Sequence, residues 1–122
     1  VIRGRTGAHR YRVEVARTER QQQIGMMFRR TVPKATGMLF PWNKGPASFW
    51  MRNTLVPLDI VYIGPDHRIE SIVTAVPLDE SPLPSRGPVL AVLELAGGEA
   101  KRAGFGVGDR VESPALRAAA KH

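Results

Sequence analysis

At 122 residues and 43% apolar content, the chain is sized for one globular domain that buries most of its unfolded surface, with no room for a second. It has no cysteine, which excludes disulfide staples, thiolate metal ligands and cysteine nucleophiles; no apolar run approaches the roughly 20 residues of a bilayer-spanning helix. The net charge is +7; residues 1–34 carry nine bases against two acids, while the other 88 residues balance nine against nine.

Such asymmetry suits a contact with nucleic acid, anionic lipid or an acidic polymer. The simpler reading is a solvated basic arm and first strand, since fourteen of the eighteen bases are Arg. The sequence starts at Val1 rather than Met; trimming is one explanation and a cleaved export signal is the other.

Residues 1–10 are polar and aperiodic and read as a flexible lead-in. From Tyr11 to Arg17 apolar and polar residues alternate, with Tyr11, Val13 and Val15 on one face, as in a half-buried strand. Thr18 followed by Gln21 has the spacing of a capping box, so a helix of two to three turns is expected over about 19–28. Gly25 within it costs about 1 kcal/mol relative to Ala, which a close approach of another element would justify.

Short β segments punctuated by Pro and Gly follow: Gly37 to Phe40, Ala47 to Arg52 and Leu58 to Ile63. Gly64-Pro65-Asp66-His67 carries Pro at the second turn position, predicting a hairpin from Leu58–Ile63 to Arg68–Val76. Leu78 to Pro88, with three prolines, reads as an extended loop. Val89 to Leu95 is a strongly apolar strand, Gly98 to Ala103 a short second helix closed by Gly104, and the tail over 113–122 is expected to fray. The fold class is therefore mainly β, a small sandwich or rolled barrel of jelly-roll-like outline, with one domain over 11–112.

Several ordered motifs resemble the DUF192 family, also called UPF0127: Glu19-Arg20 with Gly25-Met26-Met27-Phe28-Arg29, then Gly37-Met38-Leu39-Phe40, Phe49-Trp50-Met51-Arg52-Asn53-Thr54, Pro57-Leu58-Asp59-Ile60, Val92-Leu93-Glu94-Leu95 with Gly97, and Gly108-Asp109. The resemblance implies a compact β-rich bacterial or archaeal domain, often found behind an export or lipoprotein signal, whose biochemical role the family does not supply. A periplasmic or otherwise extracytoplasmic location follows from it, with the cytoplasm as the alternative.

Chemistry-bearing residues are few. Asn53 and Asp59 interrupt an apolar, strand-forming run, and buried polar groups need partners; Arg20, Arg29, Arg52, Asn53 and amides near Thr54 are candidates for Asp59. Asp59 either fastens a loop between strands or acts as an acid or base of shifted pKa. Glu94 repeats the situation on a second apolar strand, which invites comparison with paired glycosidase carboxylates about 5–9.5 Å apart. Arg20, Asn53, Asp59 and Glu94 together are expected as a structural polar network. Trp50 and Arg52 share a strand face opposite Phe49 and Met51, and indole beside guanidinium suits carboxylates, sugars or peptide ends.

Other chemistries lack support. His9, His67 and His122 have no ligand-pair spacing, so no metal or cofactor is assigned. No serine lies in a nucleophile elbow. Gly104-Phe-Gly-Val-Gly108 follows a helical turn rather than a buried strand and opens no helix. Tyr11 between Arg10 and Arg12 is only a faint nucleic-acid platform.

With no catalytic residue assigned, the expectation is a non-enzymatic domain, monomeric by default, that binds a small molecule, peptide or envelope polymer through Trp50, Arg52, Asn53 and Asp59. A small hydrolase using Asp59 or Glu94 and a basic nucleic-acid-binding module are the alternatives.

Overall fold

A computed structural model describes residues 1–120. Its centre is a five-stranded sheet in the order β3(Arg12–Val15), β4(Thr36–Pro41), β9(Ala91–Ala96), β6(Leu58–Ile63), β7(Ile69–Ala75), with β3 parallel to β4 and the other pairs antiparallel. A second sheet of three strands runs β10(Arg110–Val111), β1(Ile2–Gly4), β2(Gly7–His9); a third pairs β5(Pro46–Phe49) with β8(Leu83–Pro88). Three short helices complete the fold: α1(Glu19–Ile24), α2(Glu99–Ala103) and α3(Pro114–Ala119).

The fold is mainly β, as the frequency of short Pro- and Gly-bounded segments predicts. All six residues of β6 are buried, because both faces of the central sheet are covered. One face packs Val61, Ile63, Leu93 and Leu95 against Ile2, Phe105, Val111 and Leu116. The other packs Leu58, Ile60, Tyr62 and Val92 with Met26, Phe40, Ala47 and Met51. The β6–β7 hairpin forms where Gly64 to His67 predicts it, and α2 forms as the short second helix.

Several expectations yield to the structure. Residues 1–10 are not a loose lead-in: Ile2 is 1% exposed, and the β1–β2 hairpin turns between Gly4 and Gly7. The tail is not frayed through residue 119. Ser113 caps α3 by accepting the Leu116 N–H at 3.0 Å, Pro114 occupies its first turn, and Leu116 is 1% exposed. Lys121 and His122 lie outside the described residues. Leu83 to Pro88 is a strand rather than a loop, since Leu83, Pro84 and Pro88 pair with β5 in a two-stranded ribbon, where proline costs no ladder bond that a further neighbour needs.

The first helix is shorter than its pattern suggests. Thr18 and Gln21 make the reciprocal capping box, but Gly25 ends α1 at φ 49° instead of continuing it. The positive φ is what favours glycine here, since a Cβ would make only ordinary contact with the Phe40 ring, at 3.4 Å.

Candidate functional site

The carboxylate of Asp59 is sealed in the core at 1% exposure, and its partners are not the arginines or Asn53. It accepts the Thr74 hydroxyl at 2.7 Å, the Gly98 amide at 3.0 Å and the Ala100 amide at 2.9 Å. Gly98, the residue before α2, has no side chain with which to cap that helix, so Asp59 supplies the cap from β6. This is the fastening role.

Glu94 lies one step out of register on the neighbouring strand, opposite Ile60, while Asp59 lies opposite Leu95. The two carboxylates therefore point to opposite faces of one sheet. They cannot flank a common substrate, so the glycosidase comparison fails on topology. The expected polar network also dissolves: Arg20 is exposed with no ion pair among the described residues, and Asn53 is an exposed turn residue at φ 55° whose carbonyl accepts the Phe28 N–H.

What remains is Glu94 itself. Its residue is 4% exposed, and its carboxyl group has neither hydrogen bond nor ion pair among the described residues. No fully sealed side-chain oxygen in that part of the chain lacks a partner, so the carboxyl group opens onto the cavity that it lines. That cavity, about 310 Å³, lies between α1 with its following turn and the segment from Phe40 to Trp50. Burial without compensation pushes the Glu94 pKa up from 4.5 to about 8. Near neutral pH the group is therefore a carboxylic acid able to donate as well as accept.

Each wall has a local cause. Gln22 donates to the carbonyls of Ala16 at 3.0 Å and Pro41 at 2.9 Å, which ties α1 to the end of β4 and sets the width of the opening. Phe49 lies edge-on to Phe40 at 5.1 Å and to Tyr62 at 6.3 Å, and Trp42 leans on Phe49 at 6.2 Å. The Tyr62 hydroxyl donates to the Leu83 carbonyl, so it is not spent on Glu94. Thr54, also lining the cavity, donates to the Arg52 carbonyl.

Of the four residues expected around a cleft, Trp50 alone lines this cavity, at 45% exposure. Arg52 stacks on the Trp50 ring at 5.3 Å, outside the lining. The Lys44 ammonium stands 4.4 Å from the centre of the Trp42 ring. Sequence reasoning singled out Glu94 but joined it to Asp59; Lys44 and Gln22 carried no signal, since a lysine in a turn and a glutamine on a short helix are ordinary surface residues. Among the described residues no three His, Asp or Glu side chains gather in a metal-binding group, and no helix is long and apolar enough to cross a membrane.

Comparison with known proteins places this geometry in a family rather than in an activity. The DUF192 family, described as "Uncharacterized ACR", matches residues 1–113. A crystal structure of a protein of unknown function from Novosphingobium aromaticivorans DSM 12444 is similar at 49% identity and a TM-score of 0.89, covering 92% of this chain and 81% of that one. A Sinorhizobium meliloti 1021 protein, called a "putative transcription regulator", is similar at 42% identity and a TM-score of 0.80, covering 84% of this chain and 81% of that one. No curated protein matches the sequence. With nearly the whole chain matched and the motifs of both buried carboxylates in place, the protein belongs to the DUF192 family.

Proposed function

We propose that this domain is a non-catalytic receptor for a small organic ligand, held in the cavity between α1 and the Phe40–Trp50 segment. The observation that carries this reading is Glu94, a buried carboxyl group without a partner among the described residues and open to that cavity. A buried acid lowers stability unless something satisfies it, and a leucine of similar volume would cost the core nothing. The about 310 Å³ of space falls at the small end of ligand pockets, and aromatic walls mixed with a few polar side chains, here Glu19, Gln22, Lys44, Thr54 and Glu94 among them, are their usual lining. The resemblance to exported family members goes with an extracytoplasmic receptor, which fractionation of the full-length protein tests.

A thermal-shift panel of amines, amino acids, alcohols, sugars and short peptides, with Trp42 and Trp50 as fluorescence reporters, is the test. A stabilising ligand whose effect weakens in Glu94→Gln supports the reading. The absence of any shift across the panel overturns it.

A hydrolase is the second reading, and only Glu94 supports it, as an acid still protonated near neutral pH. Its possible companion is Glu19 on the cavity lining, because Asp59 is committed beneath α2. Turnover of nitrophenyl glycosides or esters that vanishes in Glu94→Gln would favour it. For nucleic acid, part of the basic charge of the first third is already neutralised, by Glu14 on Arg29 and Glu112 on Arg3. The name of the Sinorhizobium relative is what keeps that class in play, and salt-dependent oligonucleotide binding tests it.

A further inference from the structure

We infer that the ligand of this cavity is an organic ammonium ion on a compact apolar or aromatic body, salt-linked to Glu94 at the floor with its hydrocarbon against Trp42, Phe49 and Trp50. The inference rests on the receptor reading above and names the chemical class that the site selects.

The first support is what the fold withholds from Glu94. A buried carboxylate needs donors and a counter-charge, and the protein supplies neither among the described residues. Among the described residues Lys44 is the one cation of the lining, and its ammonium is engaged with the Trp42 ring at 4.4 Å instead. A ligand that satisfies the ionised form of Glu94 brings its own N–H groups and positive charge. An ammonium ion brings both, whereas an alcohol or amide brings a donor and leaves the charge uncompensated.

The second support is the wall. Indole faces attract cations through the ring quadrupole, and the chain demonstrates this at both tryptophans of the cavity, with Lys44 over Trp42 and Arg52 at 5.3 Å over Trp50. The third is the charge of the opening. Glu19 and Lys44 balance each other there, so ionised Glu94 leaves the site net negative and an anionic ligand meets two carboxylates against one lysine.

The groups facing Glu94 set the pH behaviour. From β6 comes the Tyr62 phenol, itself pushed up by burial and by Glu94; α1 contributes Glu19 and the β4–β5 segment Lys44; β4 presents the apolar Met38 and Phe40. Burial raises Glu94 to about 8, which brings its titration into the working pH range. Binding an ammonium ion converts the Glu94 acid to its carboxylate, and the proton leaves to the buffer. Affinity then rises about tenfold per pH unit up to the Glu94 pKa and levels off above it. A neutral ligand hydrogen-bonded to the protonated acid shows the reverse, flat at low pH and weakening above it.

The test is calorimetric titration of the unmodified chain with butylamine, phenethylamine and tryptamine, each against its alcohol counterpart, from pH 6 to 8.5 in two buffers of different protonation enthalpy. The expected result is that at least one amine binds ten or more times tighter than its alcohol at pH 8, releases close to one proton at pH 6.5, and loses that advantage in Glu94→Gln. Proton release is measured on the natural sequence, so the inference survives a variant that fails to fold. Equal binding of amine and alcohol without proton release overturns the ammonium class while leaving the cavity a receptor. Failure of every amine overturns the class whether or not other ligands bind; failure of the wider thermal-shift panel as well brings down the receptor reading too.

Discussion

The carboxylate of Asp59 accepts the backbone N–H of Ala100 at 2.9 Å, so a residue in the middle of the central sheet caps a helix 41 positions later in the chain. With Gly98 and Thr74 it satisfies three donors at once, of which the buried Ala100 amide would be stranded without it. Because Gly98 sits at φ 88° and has no side chain, α2 has no local substitute for that cap.

Asp59→Ala is expected to lower unfolding free energy by about 3–4 kcal/mol, and Asp59→Asn by about 2, since the amide keeps an acceptor but turns a donor toward another donor. Thr74→Val removes a single bond and should cost about 1 kcal/mol. Urea denaturation checks the order. A fully stable Asp59→Asn would contradict the fastening role.

Glu94 predicts an unusual pH profile of stability. Its folded pKa is raised, to about 8 from 4.5, so the native state holds more protons than the unfolded chain across that window. Its stabilising contribution is fully present below about pH 4.5, declines as pH rises, and is gone above about 8. Glu94→Gln does not titrate, so its melting temperature relative to the natural chain should climb between pH 5 and 8 by the equivalent of roughly 2–5 kcal/mol. Parallel melting curves at pH 5 and pH 8 would refute the burial argument.

Gly37 in β4 sits where a Cβ would meet the Glu94 carbonyl oxygen at 2.5 Å and the Leu95 side chain at 2.6 Å. Backbone cannot rotate away as a side chain does, so Gly37→Ala should push β4 and β9 apart and cost about 2–3 kcal/mol. Gly87, whose Cβ would have only the Glu70 carboxylate at 3.8 Å, is the control and should change little. Chemical denaturation of both variants measures the contrast.

Both ends of the chain are structural. Ile2 and Leu116, each 1% exposed, pack on the same face of the central sheet as Leu93 and Leu95. Replacing either by Ala should cost about 2–4 kcal/mol. Deleting residues 1–9 should expose the β10 edge and lower the melting temperature sharply; unchanged stability would restore the reading of a flexible lead-in.

How much of this was legible follows from how far apart in the chain the interacting groups lie. The capping box of Thr18 and Gln21, the alternation around Val13, the turn at Gly64 and the all-buried run of β6 depend on residues within a few positions of one another, and each is readable in the sequence. The α3 helix had a local signal too, Ser113 followed by Pro114, but its six residues were too few to show a period. The β1 and β2 strands are three residues each, below the length at which alternation means anything.

Asp59 and Glu94 mark the boundary more sharply. Each is a lone acid in a greasy strand, and by itself the sequence establishes that both are interior, that the domain is mainly β and that it belongs with DUF192. Only the tertiary structure decides their separate fates. A one-step offset between β6 and β9 turns Asp59 toward the amides of α2 and Glu94 toward an aromatic cavity where no described residue donates to it. The physical reason is that alternation tells which side chains share a face of their own strand, whereas the partner that face meets comes from segments folded over it from elsewhere in the chain.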